Sequence, residues 1–241
     1  LGLGTLGEPG VDKQNHLWDF WWWWTAARDP SRSYFFTDLL YYPPGVSLWQ
    51  ANSGFLLFFF GLIPQALGFG PEATYDLVVM ASLLFSCVGG HVLGVRLFQD
   101  RGIGFFCGVA TAFNPLVFHN INLALVEFVN LGFAMLFLTA LHVLTSQASR
   151  RAAVMAAVWF ILAATWSWYM GLLLVLYAAI HVPLTLGLRG AFSHRRRLLL
   201  LAATALAMGL FLLPFHQKIG VGSVEGRIMR VEHQVVEGMA G

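Results

Sequence analysis

Residues 53–69, SGFLLFFFGLIPQALGF, look at first sight like a membrane-crossing helix, and whether they cross decides the topology of all that follows. The run is slightly short of the roughly 20 apolar residues that a span needs. It also holds Gly61, Pro64 and Gln65, and a proline inside a helix removes a hydrogen bond and bends the axis. If the run crossed, the basic loop at 96–101 would lie opposite to the later basic loops. An interfacial or re-entrant helix, with both ends on one side, removes that conflict.

Six apolar stretches follow, at about 76–97, 103–118, 121–144, 152–170, 171–188 and 197–215. The chain of 241 residues is 58% hydrophobic and only 11% charged, against about 25% charged in a soluble domain. These numbers predict an all-α, polytopic membrane helix bundle. It has about six transmembrane helices, with interfacial helices in a large N-terminal non-cytoplasmic loop. Three units result: the loop at 1–75, the bundle at 76–215 and the start of a further non-cytoplasmic segment at 216–241. Arg96, Arg101, Arg150, Arg151, Arg189, Arg195, Arg196 and Arg197 fall in alternate connections, opposed only by Asp100. The turns at 118–120 and 168–171 carry no Lys or Arg. The positive-inside rule puts the Arg loops in the cytoplasm and the N-terminal loop and C-terminal tail on the other side. Basic residues spaced in short loops fit topology rather than nucleic-acid binding.

Small residues recur every four positions at Ser82, Ser86, Gly90 and Gly94, and again at Gly104, Gly108 and Ala112. Such stripes let two helices approach closely. Cys87 and Cys107 fall inside apolar runs and read as small buried hydrophobes.

Upstream, residues 8–52 hold six of the nine tryptophans and four aspartates. Asn15 can cap a helix from His16 to about Arg28, stopped at Asp29-Pro30. Its tryptophans predict a helix lying along the membrane surface, where an indole ring is buried and its N–H stays wet. Pro43-Pro44-Gly45 reads as a tight turn in which Gly45 supplies the positive φ.

Glu127 is the one carboxylate well inside a predicted span, where a charge costs at least about 2.5 kcal/mol unless it is paired or protonated. At helical spacing Asn120, Glu127 and Asn130 share a face near the non-cytoplasmic end, with His119 and Asn122 at its mouth. This cluster reads either as a wall touching sugar or phosphate, or as a hydrogen-bond network between helices. His91 reads as a buried neutral histidine bonded to a neighbouring helix. Asp12, Asp19 and Asp38 belong to the membrane-proximal loop, either as solvated acids or as part of a site. The sequence has no zinc-like Cys/His spacing, phosphate-binding Gly loop or GxSxG.

The acidic loop with HLWDFWW, then FFTDLLYYPPGVSL, the interfacial apolar segment, FNPLVFHNINL and WSWYMG together resemble a group of bacterial multipass membrane proteins. These are similar to the C-type glycosyltransferases, which use polyprenyl-phosphate sugars, and the similarity covers most of residues 8–170. The resemblance implies transfer of a sugar from a polyprenyl-phosphate donor to a lipid, glycan or protein acceptor, at the non-cytoplasmic face of the bacterial inner membrane. It implies Asp12 as the general base or metal ligand, matching the acidic residue of the first non-cytoplasmic loop. His16, Trp18, Asp19, Asp38, His119, Asn120 and Glu127 become candidate substrate contacts, and Lys218 a candidate phosphate contact. The Trp-rich helix would form the wall along which the isoprenoid tail enters. No cofactor is certain, and Mg2+ or Mn2+ would suit the leaving phosphate. The expected partners are the lipid-linked donor and membrane lipid, not nucleic acid. Members of that group carry more than ten membrane helices. That number, and a first residue that is Leu1 rather than methionine, suggests a piece of a longer chain.

Two other readings stay open. A transporter or lipid-handling protein would use Glu127 and its polar face as a path, through a cavity reaching the cytoplasmic half. An assembly subunit that kept the fold without the chemistry would leave Asp12 paired off or facing solvent.

Overall fold

A computed structural model of the chain describes residues 6, 11–40, 43, 45–48, 54–186 and 199–210. The first helix, α1, runs from Val11 to Arg28. It therefore starts well before the expected cap at Asn15, which lies inside it. Asp12 in its first turn complements the positive end of the helix dipole. Phe20, Trp22, Trp23 and Ala26 are buried, while Trp21 is exposed. Beyond α1, a turn closes on Asp29, which accepts from the Ser31 hydroxyl at 2.7 Å and from Arg32 Nε at 3.1 Å. The Ser31 bonds first, and then Arg32, hold the Asp29 carboxyl below its usual range.

A two-stranded hairpin follows, β1 (Phe36–Thr37) antiparallel to β2 (Val46–Ser47), with Phe36 opposite Ser47. Gly45, at φ +68°, leads into β2, as the turn chemistry predicts. A side chain there would collide with the Phe36 ring and the Thr37 carbonyl. Pro44 lies outside the described residues. The hairpin approach is pinned to α1 by Trp23, whose ring lies 4.9 Å from Tyr34 and 5.6 Å from Phe35.

The run that opened the sequence reading forms α2, Phe55–Ala66. Twelve residues rise only roughly 18 Å, against a hydrocarbon thickness of roughly 30 Å. It packs on α1: Gly61 leaves the room that the Phe20 ring fills, and Gln65 Nε2 donates to the Phe20 carbonyl at 3.1 Å.

The long helix α3, Pro71–Phe98, is the spine of the bundle. Pro71 starts it and Gln99, at φ +55°, ends it. It turns back through Asp100, whose carboxylate accepts from Ile103 N at 2.8 Å and caps α4, Arg101–Ala112. The expected small-residue stripes meet here. A Cβ on Gly94 would sit 2.7 Å from Cys107 Cβ, and one on Gly108 would sit 2.5 Å from the Cys87 carbonyl. Cys87 and Cys107 are both free thiols in this seam. The opposite face of α3 leaves Leu77, Met80, Leu84 and Val88 exposed, an apolar stripe suited to lipid.

The next two stretches differ from the expected continuous helices. The 103–118 span breaks at Phe113-Asn114, and α5 (Pro115–Asn122) restarts it. Pro115 disfavours helical backbone in the residue before it, and the Asn114 side chain accepts from Val117 N at 3.0 Å as the new cap. The turn expected at 118–120 instead falls at Leu123–Leu125, with Ala124 at φ +59°. The 121–144 span is a 3-10 turn, Val126–Phe128, followed by α6, Gly132–Gln147. Ser149 caps α7 (Arg150–Trp166), and the single extended residue Ser167 separates it from α8 (Trp168–Leu186). That break lies just before the expected 168–171. Helix α9, Leu199–Leu210, rests on α7, where Thr204 Oγ1 approaches the Ala153 carbonyl at 3.4 Å.

Four segments are long and apolar enough to cross a membrane: Pro71–Phe98, Arg101–Asn122, Val126–Gln147 and Trp168–Leu186. By length and composition they mark an all-α membrane protein. The 17 residues of α7 and the described part of α9 are shorter.

Candidate functional site

The irregular segment between α5 and α6 is held at the level of mid-α3. Ser86 Oγ donates to the Val129 carbonyl at 3.0 Å and accepts from Leu131 N at 2.8 Å. The close approach of Gly89 to Gly132, where a Cβ would lie 2.8 Å from the Gly132 Cα, lets α6 begin there. Asn130 Oδ1 accepts from Gly132 N at 3.0 Å and satisfies one of the open N–H groups of α6. Non-helical backbone at membrane depth must be buried in protein or line a cavity. Here Ala124, Val126, Glu127, Val129 and Asn130 are all buried.

Onto this turn α1 lowers one face. Asp12, His16, Asp19 and Trp23 follow at spacings of four, three and four, so they share a stripe. Trp23 packs on Phe58 of α2, ring centroids 6.1 Å apart. His16 sits among Phe58, at 6.1 Å, Tyr75, at 6.3 Å, and Glu127. Its Nε2 lies 3.4 Å from Glu127 Oε2, and both side chains are about nine-tenths buried. At that distance the two groups approach closely without forming an aligned hydrogen bond. Lys13, also buried, holds its Nζ 5.9 Å from the Tyr75 ring centre. The phenol itself is fully buried on α3. His16 Nδ1, Tyr75 Oη and Glu127 Oε2 have no hydrogen-bond partner among the described residues.

The structure thus brings two of the candidates together, His16 and Glu127, where α1 meets the bundle, and Asp19, one turn further along α1, is also buried. Asp12 lies in the first turn of α1 and is exposed. Trp18 is half-buried, stacked on Trp22 at 5.8 Å with the rings 3° from parallel. With Trp21, Leu17, Gly70, Pro71 and Glu72 it lines a shallow cleft of about 470 Å³ beside the start of α3. Asp38, just after β1, and His119, on α5, are exposed, and Asn120 is half-buried. Lys218 lies outside the described residues. The expected single helical face of Asn120, Glu127 and Asn130 is instead divided among α5, the 3-10 turn and the loop before α6. Sequence reasoning missed Tyr75, one residue ahead of the predicted span, and the clasping role of Ser86, which it read only as a small residue. His91 is half-buried in the α3–α4 seam. A second cleft, of about 310 Å³ and almost wholly apolar, opens between α3 and α4 beside Gly90, Gly94, Phe98 and Cys107.

Among the described residues, no three His, Cys, Asp or Glu side chains converge on a point that could hold a metal ion. No protein-family model, no curated protein and no solved structure matches this chain.

Proposed function

We propose that the chain belongs to a membrane glycosyltransferase that moves a sugar from a polyprenyl-phosphate donor to a lipid, glycan or protein acceptor. The observation that supports it is the buried pair of His16, on the Trp-rich helix, and Glu127, with Lys13 and Asp19 buried on the same helix. Ionisable groups at membrane depth are costly and mark functional sites. An arrangement of acids, a base and a cation below an aromatic surface helix suits displacement at an anomeric carbon. The leaving phosphate needs a cation, or a divalent ion such as Mg2+ or Mn2+. Lys13 and, outside the described residues, Lys218 are the candidates. The Trp18–Trp21 cleft offers a wall for the isoprenoid chain or the sugar. In this reading the six-span topology holds, the Arg loops are cytoplasmic, and the site faces the other side of a bacterial inner membrane. Asp12, at the open end of the stripe, is the base that the resemblance implies.

The test is transfer of a labelled sugar from polyprenyl-phosphate donors to endogenous acceptors in membranes holding the wild type or Glu127→Gln. Transfer by the wild type and its loss in the variant is the expected result. Absence of transfer from any donor sinks the reading. The exposure of Asp12 favours a second reading, an assembly or lipid-handling protein that keeps the fold without the chemistry. In that case Glu127→Gln alters partner recovery or lipid transport and no sugar is moved.

A further inference from the structure

The two ring nitrogens of His16 have different surroundings. Nε2 faces the Glu127 carboxylate at 3.4 Å, whereas Nδ1 is buried with no hydrogen-bond partner among the described residues. Tyr75 Oη is buried and unpartnered in the same way, on a ring whose centre is 6.3 Å from that of His16. Glu127 Oε2 is a third buried atom here without a hydrogen-bond partner among the described residues. Buried polar atoms are nearly always satisfied, so the neighbouring orphans on His16 and Tyr75 point to a group that joins them. The chemistry of that group follows from the donors present. A carboxylate only accepts, so a neutral imidazole facing Glu127 carries its proton on Nε2 and offers a lone pair at Nδ1. The Tyr75 phenol can donate. A hydroxyl is the simple group that donates to the first and accepts from the second. The same order of groups, carboxylate to imidazole to hydroxyl, activates oxygen nucleophiles on unrelated folds.

We propose that His16 is the catalytic base of the transfer and Glu127 its positioning residue, with Tyr75 fixing the acceptor oxygen. This rests on the transferase reading and moves the proton-accepting role from Asp12 to His16. The acceptor oxygen forms its bond to the anomeric carbon as the bond from that carbon to the phosphate oxygen breaks. The bonding pair leaves with the lipid phosphate. The hydroxyl proton passes to Nδ1, and the imidazolium so formed is stabilised by Glu127 until the proton returns to water. Asp12 lies one turn and roughly 6 Å along the helix axis from His16, at the exposed end of the same stripe.

The experiment measures kcat and KM for transfer by the full protein in membranes. Wild type, His16→Ala, His16→Asn and Glu127→Gln are compared, with and without added imidazole. Variants are compared only where their Trp emission spectrum matches the wild type, and His16→Asn stands in if His16→Ala fails to fold. General-base removal lowers kcat by about 100-fold or more with KM little changed. Imidazole restores part of the His16→Ala rate, an effect that a merely structural histidine would not show. His16 variants that keep their rate overturn the proposal, as does a His16→Ala loss that imidazole leaves untouched. A wild type inactive with every polyprenyl-phosphate donor overturns the transferase reading itself.

Discussion

At the scale of single residues, the His16–Glu127 pair joins two segments 111 positions apart in sequence, α1 and the 3-10 turn. Removing one member of a buried pair leaves the other charged and unpaired, at a cost of about 3–5 kcal/mol, whereas replacing both by apolar residues is often neutral. His16→Leu and Glu127→Leu are therefore each expected to lower stability strongly, and the double variant much less than their sum. Thermal unfolding in detergent, followed by Trp emission, reads the cycle. Additive losses would mean that the two side chains do not interact. Glu127 was singled out in the sequence because a carboxylate in an apolar run is conspicuous. Its partner was not legible. His16 stands in a polar, aromatic loop, and nothing local links it to a residue in the bundle. The expectation that Asn120, Glu127 and Asn130 share a helix face fails for a definite reason. The left-handed Ala124 and the 3-10 turn after it interrupt the helix that the spacing assumed.

At the scale of elements, the glycines separate into packing positions and open ones. A Cβ at Gly90 meets Thr111 and lies 2.9 Å from the Cys107 carbonyl, while one at Gly70 meets nothing within 4 Å. Gly90→Leu is expected to force α3 and α4 apart and to cost at least the roughly 1–3 kcal/mol of overpacking. Gly70→Ala should leave the melting temperature unchanged, as its extended backbone at φ −72° and ψ 170° suits any residue. Equal melting temperatures for Gly90→Leu and wild type would contradict the seam. This seam was legible in the sequence, because small residues every four positions have one economical use in a membrane helix. In α2, Pro64 and Gln65 argued against a full span; the helix is 12 residues long, too short for one, and Gln65 reaches the α1 backbone. Breaks placed by a single residue, such as Ser167 between α7 and α8, leave too faint a composition signal to locate within a few positions.

At the scale of the whole molecule, composition decided the class: four segments, the spine helix α3 among them, have the length and apolarity of membrane spans, and α3 carries a lipid-suited face. Charge placement predicts the sidedness. On the proposed topology, with the Arg loops in the cytoplasm, α1, the hairpin and the buried His16–Glu127 pair would belong to the opposite face, where lipid-linked sugars would be consumed. Function and topology are thereby tied to one another. The most direct measurement is transfer in sealed vesicles of both orientations, with a labelled polyprenyl-phosphate sugar supplied only to the outer surface. Transfer is expected in right-side-out vesicles of the wild type, and loss of about 100-fold or more with His16→Ala, whose base is missing. Transfer only in inverted vesicles, or in neither orientation with any donor, would contradict the account.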